Sequence, residues 1–170
     1  MKIFLIGMPL VGKTTIGKEL AKIINYEYID LDDEIEMNER ETVYDIITKK
    51  GERIFRKIET KTLLSALNKC EENTVISCGG GIILKRVNQL ILSSGTVVLL
   101  KTDLSTLKER MKHDYTRPLL IKEKLDKMFK DREKKYLEFA NLIVYNNKTV
   151  EEVVDDLIKG LGLKNEDINY

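Results

Sequence analysis

Hydrophobic positions follow two different periods along this chain. Short runs rich in β-branched residues predict five strands, at residues 3–6, 28–29, 75–78, 96–100 and 142–145. Between them, apolar residues recur every three or four positions and predict helices, at residues 13–24, 33–37, 42–50, 52–70, 105–111, 124–140 and 150–161, with one more between the third and fourth strands. Nearly continuous apolar strands separated by helices are typical of a parallel sheet covered on both faces. The pattern therefore predicts a three-layer α/β/α domain with a parallel five-stranded sheet.

Residues 113–123 have no clear period and separate two predicted helices, which indicates a surface flap. The 170 residues contain no internal repeat, low-complexity segment or proline-rich linker. A chain of this length suits one compact domain and can bury a substantial core. We therefore expect a single domain over residues 1–170, with a mobile lid at about residues 112–124. In folds of this class, ligands bind beyond the carboxyl ends of the strands, so the loops there are the candidate site.

The charge balance narrows the classes of function. Lys and Arg number 29 against 28 Asp and Glu, which gives a formal net charge of +1. A dedicated nucleic-acid-binding protein is expected to carry a basic surplus, which this chain lacks. No apolar run approaches the ~18 residues of a membrane span, and the apolar run that follows Met1 is too short for a signal peptide. We therefore expect a cytoplasmic protein with neither nucleic acid nor membrane as a partner.

Histidine and cysteine are too scarce for the common zinc sites. His113 is the only histidine, and the two cysteines, Cys70 and Cys78, lie eight positions apart. This set cannot supply a multi-histidine site or four thiolates. We expect two reduced thiols, as in a reducing compartment.

The loop after the first predicted strand carries the clearest chemical motif. Residues 7–15 match G-x-x-x-x-G-K-[ST] and lie between a predicted strand and a predicted helix. The glycines allow a backbone nest whose N–H groups point at phosphate oxygens, and the helix adds the positive end of its dipole. In this motif Lys13 reaches the β- and γ-phosphates and Thr14 binds Mg²⁺. The sequence therefore predicts a nucleoside triphosphate site formed by Gly7, Pro9, Leu10, Val11, Gly12, Lys13, Thr14 and Thr15.

Two carboxylates follow the second predicted strand. In an extended segment, Asp30 and Asp32 project to the same side, because side chains alternate with period two. One can hold the Mg²⁺ shell, directly or through water, and the other can accept a hydrogen bond from an acceptor hydroxyl. The next two acids, Asp33 and Glu34, are interpreted as first-turn residues of a helix.

Glycines and arginines supply the remaining candidates. Residues 79–81 are three consecutive glycines after the third strand, and glycine permits positive φ and close approach of backbone N–H groups to a ligand. Arg56 lies one helical turn before Glu59, a spacing that lets the carboxylate orient the guanidinium. Arg117 lies in the aperiodic segment and Arg132 in a later helix. Guanidinium groups suit clamping of carboxylate and phosphate, although each arginine alone has the sequence context of a solvated surface charge.

Taken together and in order, these motifs resemble the shikimate kinase family, within the nucleoside-monophosphate-kinase-like group of P-loop proteins. The resemblance covers about residues 1–160. It rests on the phosphate loop, Asp30-x-Asp32, the Phe55-Arg56-x-x-Glu59 segment, the three glycines, Arg117-Pro118 and Arg132-x-x-x-Tyr136. It implies a P-loop NTPase fold in which a helical segment at about residues 33–62 binds the substrate. It also implies an ATP- and Mg²⁺-dependent kinase that phosphorylates the 3-hydroxyl of shikimate in aromatic amino acid biosynthesis. We further expect a monomer.

The resemblance also implies a role for each motif residue. The catalytic residues would be Lys13, Asp32 and Arg117. Shikimate would be held by Asp32, Phe55, Arg56, Gly79, Gly80, Gly81 and Arg132. ATP would contact the phosphate loop and also Arg110, Arg117 and Lys148. The metal would be bound by Thr14 directly and by Asp30 through water.

Two positions depart from the family pattern. Leu10 stands where the middle glycine of the phosphate loop is usual, and Ile47 stands where an aromatic residue is often found in the substrate pocket. The first change concerns the rigidity of the loop and the second the grip on the substrate ring. The sequence leaves open another small-molecule P-loop kinase of this group, acting on a nucleotide, gluconate or a polyol. A regulatory GTPase is less consistent, because the closest string to its N-K-x-D signature, at residues 147–150, lacks the aspartate.

Overall fold

Five parallel strands form one sheet at the centre of the protein. The structure is a computed structural model in which residues 1–70, 73–112 and 122–163 are described. The strands are β1 (Lys2–Ile6), β2 (Glu27–Asp30), β3 (Thr74–Ser77), β4 (Thr96–Lys101) and β5 (Leu142–Tyr145). Their order across the sheet is β2-β3-β1-β4-β5, and neighbouring strands all run parallel. The predicted parallel five-stranded sheet is therefore confirmed.

Helices connect the strands and cover the sheet. They are α1 (Lys13–Ile23), α2 (Leu31–Glu39), α3 (Val43–Lys50), α4 (Glu52–Lys69), α5 (Arg86–Leu92), α6 (Leu104–Lys112), α7 (Lys122–Phe139) and α8 (Val150–Gly160), with a short 3₁₀ turn at Ile82–Leu84. Residues Ile3 to Ile6 of β1 are all fully buried. Because successive strand residues point to opposite faces, helices must cover both faces of the sheet. The three-layer prediction is thereby confirmed.

The helical segment beside the sheet has a small hydrophobic core of its own. Ile35 of α2, Ile46 of α3 and Phe55 of α4 are buried together, apart from the main core. Helix α2 begins at Leu31, two residues earlier than the apolar pattern predicts, because Asp30 caps it by accepting a hydrogen bond from the Asp32 backbone N–H. These three helices thus form a compact unit next to the carboxyl ends of β2 and β3.

Three further expectations from the sequence concern the cysteines, membrane-spanning helices and the lid. The two cysteines are free thiols, Cys78 buried and Cys70 half-buried. No described helix is long and apolar enough to cross a membrane. Arg117, His113 and most of the predicted lid lie outside the described residues.

Candidate active site

A cleft of about 300 Å³ opens where the carboxyl ends of β1, β2 and β3 meet helices α3, α4 and α7. The phosphate loop forms one side of it, and the helical unit of α2, α3 and α4 forms the other. The residues that line it include Pro9, Leu10, Gly12, Lys13, Thr14, Asp30, Asp32, Ile47, Phe55, Arg56, Glu59, Gly79, Gly80, Gly81, Met128 and Arg132. Most of the residues that the sequence motifs select are therefore brought to one place.

The phosphate loop has the backbone that its glycines allow. Gly7 and Gly12 have φ of 145° and 98°, and a Cβ on Gly7 would overlap the Leu100 carbonyl oxygen. Leu10 also has a positive φ of 69°, in the left-handed region that favours glycine. The Lys13 ammonium nitrogen lies 2.9 Å from the Gly7 and the Met8 carbonyl oxygens, so it closes the loop from inside.

Three donors hold the Asp30 carboxylate. Its Oδ1 accepts from the Asp32 backbone N–H at 3.1 Å, and its Oδ2 accepts from the Thr14 hydroxyl at 2.9 Å and the Tyr28 hydroxyl at 3.1 Å. Burial and the nearby charge of Asp30 raise the pKa of Tyr28 well above its usual value, so the phenol stays a donor.

The extended geometry predicted for Asp30 and Asp32 is wrong. Asp30 ends β2 and caps α2, whereas Asp32 lies in the first helical turn. Both carboxylates nevertheless line the cleft. Asp33 and Glu34 are first-turn acids, as predicted.

Thr14 and Asp30 are suited to a hard cation. Mg²⁺ prefers oxygen ligands and is usually bound by one or two protein groups together with water and substrate phosphates. The Thr14 hydroxyl donates its proton to Asp30, which leaves its oxygen lone pairs available for a metal. Within the described residues, no group of three or more His, Cys, Asp or Glu forms a metal cage of its own. The donors present therefore fit a Mg²⁺ ion that nucleotide phosphates and water complete.

Arg56 is fixed between two glutamates. Its Nη1 donates to Glu59 at 2.8 Å and its Nη2 to Glu52 at 3.1 Å. Glu59 is fully buried, and its Oε2 has no hydrogen-bond partner among the described residues. Burial raises the pKa of the Glu59 carboxyl, and the Arg56 charge opposes that rise. The i, i+3 pairing predicted for these two residues is therefore present.

The three glycines are required by space rather than by backbone angle. None of them has φ in the left-handed region, so the role predicted from positive φ is wrong. A Cβ on Gly79 would come within 2.9 Å of the Asp32 Oδ1, and a Cβ on Gly81 would overlap the Arg56 guanidinium. A Cβ on Gly80 would meet the Pro9 ring at 2.8 Å. The glycines thus let two functional side chains and the phosphate loop approach the backbone after β3.

Two side chains of helix α7 donate hydrogen bonds to the Gly80 carbonyl beside the cleft. The Arg132 Nη1 donates to this oxygen at 2.9 Å, and the Tyr136 hydroxyl donates to it at 2.5 Å. Burial raises the pKa of Tyr136 to about 12, so the phenol remains protonated. Arg132 and Arg56 both line the same cleft, which places two cations beside one pocket.

Arg110, Arg117 and Lys148 are the residues outside the phosphate loop that the sequence predicts to contact ATP. The Arg110 Nη1 donates to the Leu10 carbonyl at 3.0 Å, directly against the phosphate loop. Lys148 instead pairs with Asp156 at 2.8 Å and is not among the residues that line the cleft. Arg117 lies outside the described residues.

Several site residues escape sequence reasoning. The Tyr28 phenol, two positions before Asp30 on a strand, could have been found from the period of two. The Asn146 Nδ2 donates to the Val11 carbonyl at 2.7 Å across 135 positions, and no motif marks it. The Tyr136 hydroxyl is part of a motif, but its bond to Gly80 needs the fold.

Comparisons with known proteins agree on one family. The family model described as shikimate kinase matches residues 9–161. A shikimate kinase from Rippkaea orientalis is 34% identical over 166 residues, with 95% of this chain and 88% of that protein covered. One from Sulfurihydrogenibium sp. is 36% identical over 160 residues, with 92% and 95% covered.

The similar solved structures also include shikimate kinases. Shikimate kinase from Acinetobacter baumannii in complex with shikimate has a TM-score of 0.87 at 32% identity, with 96% of this chain and 95% of that chain covered. The enzyme from Aquifex aeolicus has a TM-score of 0.84 at 33% identity, with 95% and 96% covered. A gluconokinase from Sinorhizobium meliloti has a TM-score of 0.57 at 19% identity, with 95% and 91% covered, which is a likeness of the fold alone.

Proposed function

The chain belongs to the shikimate kinase family, and we propose that it transfers the γ-phosphoryl group of Mg²⁺-ATP to the 3-hydroxyl of shikimate. The product, shikimate 3-phosphate, serves aromatic amino acid biosynthesis. One observation carries the assignment of roles: Arg56, Arg132 and Asp32 line the same cleft as the phosphate loop. An anion clamp and a carboxylate therefore lie next to the place where phosphates bind.

On the acceptor side, the two arginines hold the shikimate carboxylate. Arg56 is oriented by Glu59 and Glu52, and Arg132 is oriented by the Gly80 carbonyl. A guanidinium offers paired N–H donors that match a carboxylate. Phe55 and Ile47 line the cleft nearby and supply apolar surface for the ring. The Acinetobacter baumannii relative is described in complex with shikimate, which supports this assignment.

Asp32 takes the proton of the attacking hydroxyl. Its Oδ1 lies close to Gly79, and Asp32 lines the same cleft as the phosphate loop. In phosphoryl transfer, a positioned carboxylate orients the nucleophile and accepts its proton as the bond to phosphorus forms. The protein otherwise contributes positioning and charge rather than a covalent intermediate.

On the donor side, the loop N–H groups and Lys13 surround the phosphates. The Lys13 ammonium now contacts two loop carbonyls and is within reach of phosphates bound in the same loop. Thr14 and Asp30 would hold Mg²⁺, Asp30 through water. The ion would neutralise part of the negative charge on the phosphates during transfer. Arg117 adds positive charge at the transferring group, and Arg110, which lies against the phosphate loop, contacts the adenosine part.

The regiochemistry of the product tests this proposal. The enzyme is incubated with Mg²⁺-ATP and shikimate, and the product is examined by ³¹P and ¹H NMR. We expect one phosphomonoester, with phosphorus coupled to the proton on carbon 3. A phosphate on another ring hydroxyl, or none, contradicts the proposed placement of Asp32.

A cytoplasmic location and a monomeric state stay predictions from the sequence.

The Gly81→Ala variant is expected to weaken shikimate use selectively. The added methyl overlaps the Arg56 guanidinium and must displace it. A displaced clamp lowers kcat/KM for shikimate by roughly tenfold or more and leaves KM for ATP unchanged. Steady-state kinetics with each substrate varied in turn measures both values.

Gly95→Ala is the matched control for that variant. A Cβ there would come within 2.5 Å of the Lys2 carbonyl, far from the cleft. We expect it to lower the melting temperature without changing KM for shikimate. Equal kinetic losses in the two variants would show that the Gly81 effect is general destabilisation.

A further inference from the structure

Two side chains from distant parts of the chain hold consecutive carbonyls of the phosphate loop. Arg110 on α6 donates to the Leu10 carbonyl at 3.0 Å, and Asn146 donates to the Val11 carbonyl at 2.7 Å. Asn146 follows β5 directly, and only 6% of it is exposed. Its own backbone N–H is bonded to the Lys101 carbonyl at 2.7 Å, which fixes it to the edge of the sheet. The side chain is therefore a rigid support rather than a surface group.

The contact between Asn146 and Val11 sets the direction of a backbone donor. In a trans peptide, the carbonyl and the following N–H point in opposite directions. Because the Val11 carbonyl points at Asn146, the Gly12 N–H points away from it. Gly12 caps the start of α1 and lines the cleft. A donor at the start of a helix is placed to bind an anion, here the phosphates of the nucleotide.

Leu10 makes this support more important in this chain. Its φ of 69° is a conformation that glycine adopts freely and leucine disfavours. Without external support, the loop is expected to relax toward an ordinary backbone angle at this position. The bonds to the Leu10 and Val11 carbonyls lie on either side of the Val11 residue and oppose that relaxation.

From this geometry we propose that Asn146 is a positioning residue for the nucleotide, which holds the strained phosphate loop open to the ATP phosphates. The proposal rests on the proposed use of ATP. Asn146 acts through the loop backbone and does not need to touch the nucleotide. It offsets the conformational cost that Leu10 introduces.

The test compares Asn146→Ala with Asn141→Ala. Asn141 is a matched control, because its Oδ1 accepts from the Val97 backbone N–H at 2.8 Å at the opposite end of β5. We expect Asn146→Ala to raise KM for ATP and the Kd for Mg²⁺-ADP by about tenfold. KM for shikimate is expected to change by less than about twofold. Asn141→Ala is expected to lower the melting temperature without changing nucleotide affinity.

A second pair of variants tests the link to Leu10. In a Leu10→Gly background, left-handed φ carries no penalty, so Asn146→Ala is expected to raise the Kd for Mg²⁺-ADP by only about threefold or less. Asn146→Leu, which keeps the side-chain volume and removes the donor, replaces the alanine variant if that variant does not fold. Calorimetric titration with Mg²⁺-ADP measures the nucleotide Kd of all these variants and needs no acceptor substrate.

Three results would overturn the proposal. One is unchanged nucleotide affinity in Asn146→Ala. Another is an equal loss of nucleotide affinity in Asn141→Ala, which would mean general destabilisation. The third is an equal effect of Asn146→Ala in the wild-type and Leu10→Gly backgrounds, which would separate Asn146 from the strain. A wild-type protein that binds ADP but does not phosphorylate shikimate contradicts the proposed acceptor alone, and the ADP titrations still decide the role of Asn146.

Discussion

The Asp32→Asn variant is expected to lose about 10²–10⁴-fold in kcat while KM for ATP stays within about twofold. Asparagine keeps the size of the side chain but cannot accept the proton of the 3-hydroxyl. Asp32 lies on the first turn of α2, outside the phosphate loop, so we expect nucleotide binding not to depend on it. Initial rates with shikimate and ATP varied independently measure the two effects.

Asp33→Asn is the matched control for this prediction. Asp33 is on the same first turn of α2 but is not among the residues that line the cleft. We expect its kcat to change by less than about twofold. If both variants lose activity equally, the loss comes from the charge or stability of the helix and not from proton transfer by Asp32.

The Arg56→Ala variant is expected to lower kcat/KM for shikimate by about 10²–10³-fold, with nucleotide affinity preserved. In the proposed site, the guanidinium is one of two cations that clamp the substrate carboxylate. Its removal also strands the fully buried Glu59, and an unpaired buried charge costs about 3–5 kcal/mol of stability. Kinetics and thermal unfolding must therefore be measured together.

The double variant Arg56→Ala, Glu59→Gln separates these two effects. The neutral glutamine removes the stranded charge, so the melting temperature is expected to recover while shikimate use does not. Arg53→Ala, on an exposed position of the same helix, is the control for loss of an arginine. Recovery of shikimate kinetics in the double variant would contradict a direct role for Arg56 at the carboxylate.

The sequence predicts the fold well because apolar periodicity reports burial directly. Strands such as β1, with every residue from Ile3 to Ile6 buried, are unmistakable, and β5 has the predicted bounds. The start of α2 is predicted less well, because an aspartate at a strand end can be either extended or a helix cap. The structure shows the cap, since Asp30 accepts from the Asp32 N–H.

Some site residues can be predicted from a local motif, whereas the roles of others depend on contacts between distant parts of the chain. The phosphate loop is a local motif, so its residues can be named from the sequence. The reason for the glycines at 79–81 cannot, because it lies in Arg56, Asp32 and Pro9, which approach from other elements. The support that Asn146 gives to Val11 spans 135 positions and leaves no periodic signal.

Every role assigned to this cleft depends on its pairing of ATP with shikimate as the acceptor. The most direct test is ADP release with Mg²⁺-ATP, measured in parallel with shikimate, gluconate and nucleoside monophosphates. We expect rapid ADP release with shikimate and only background release with gluconate or the monophosphates. Turnover of gluconate or of a nucleotide with none of shikimate would contradict it.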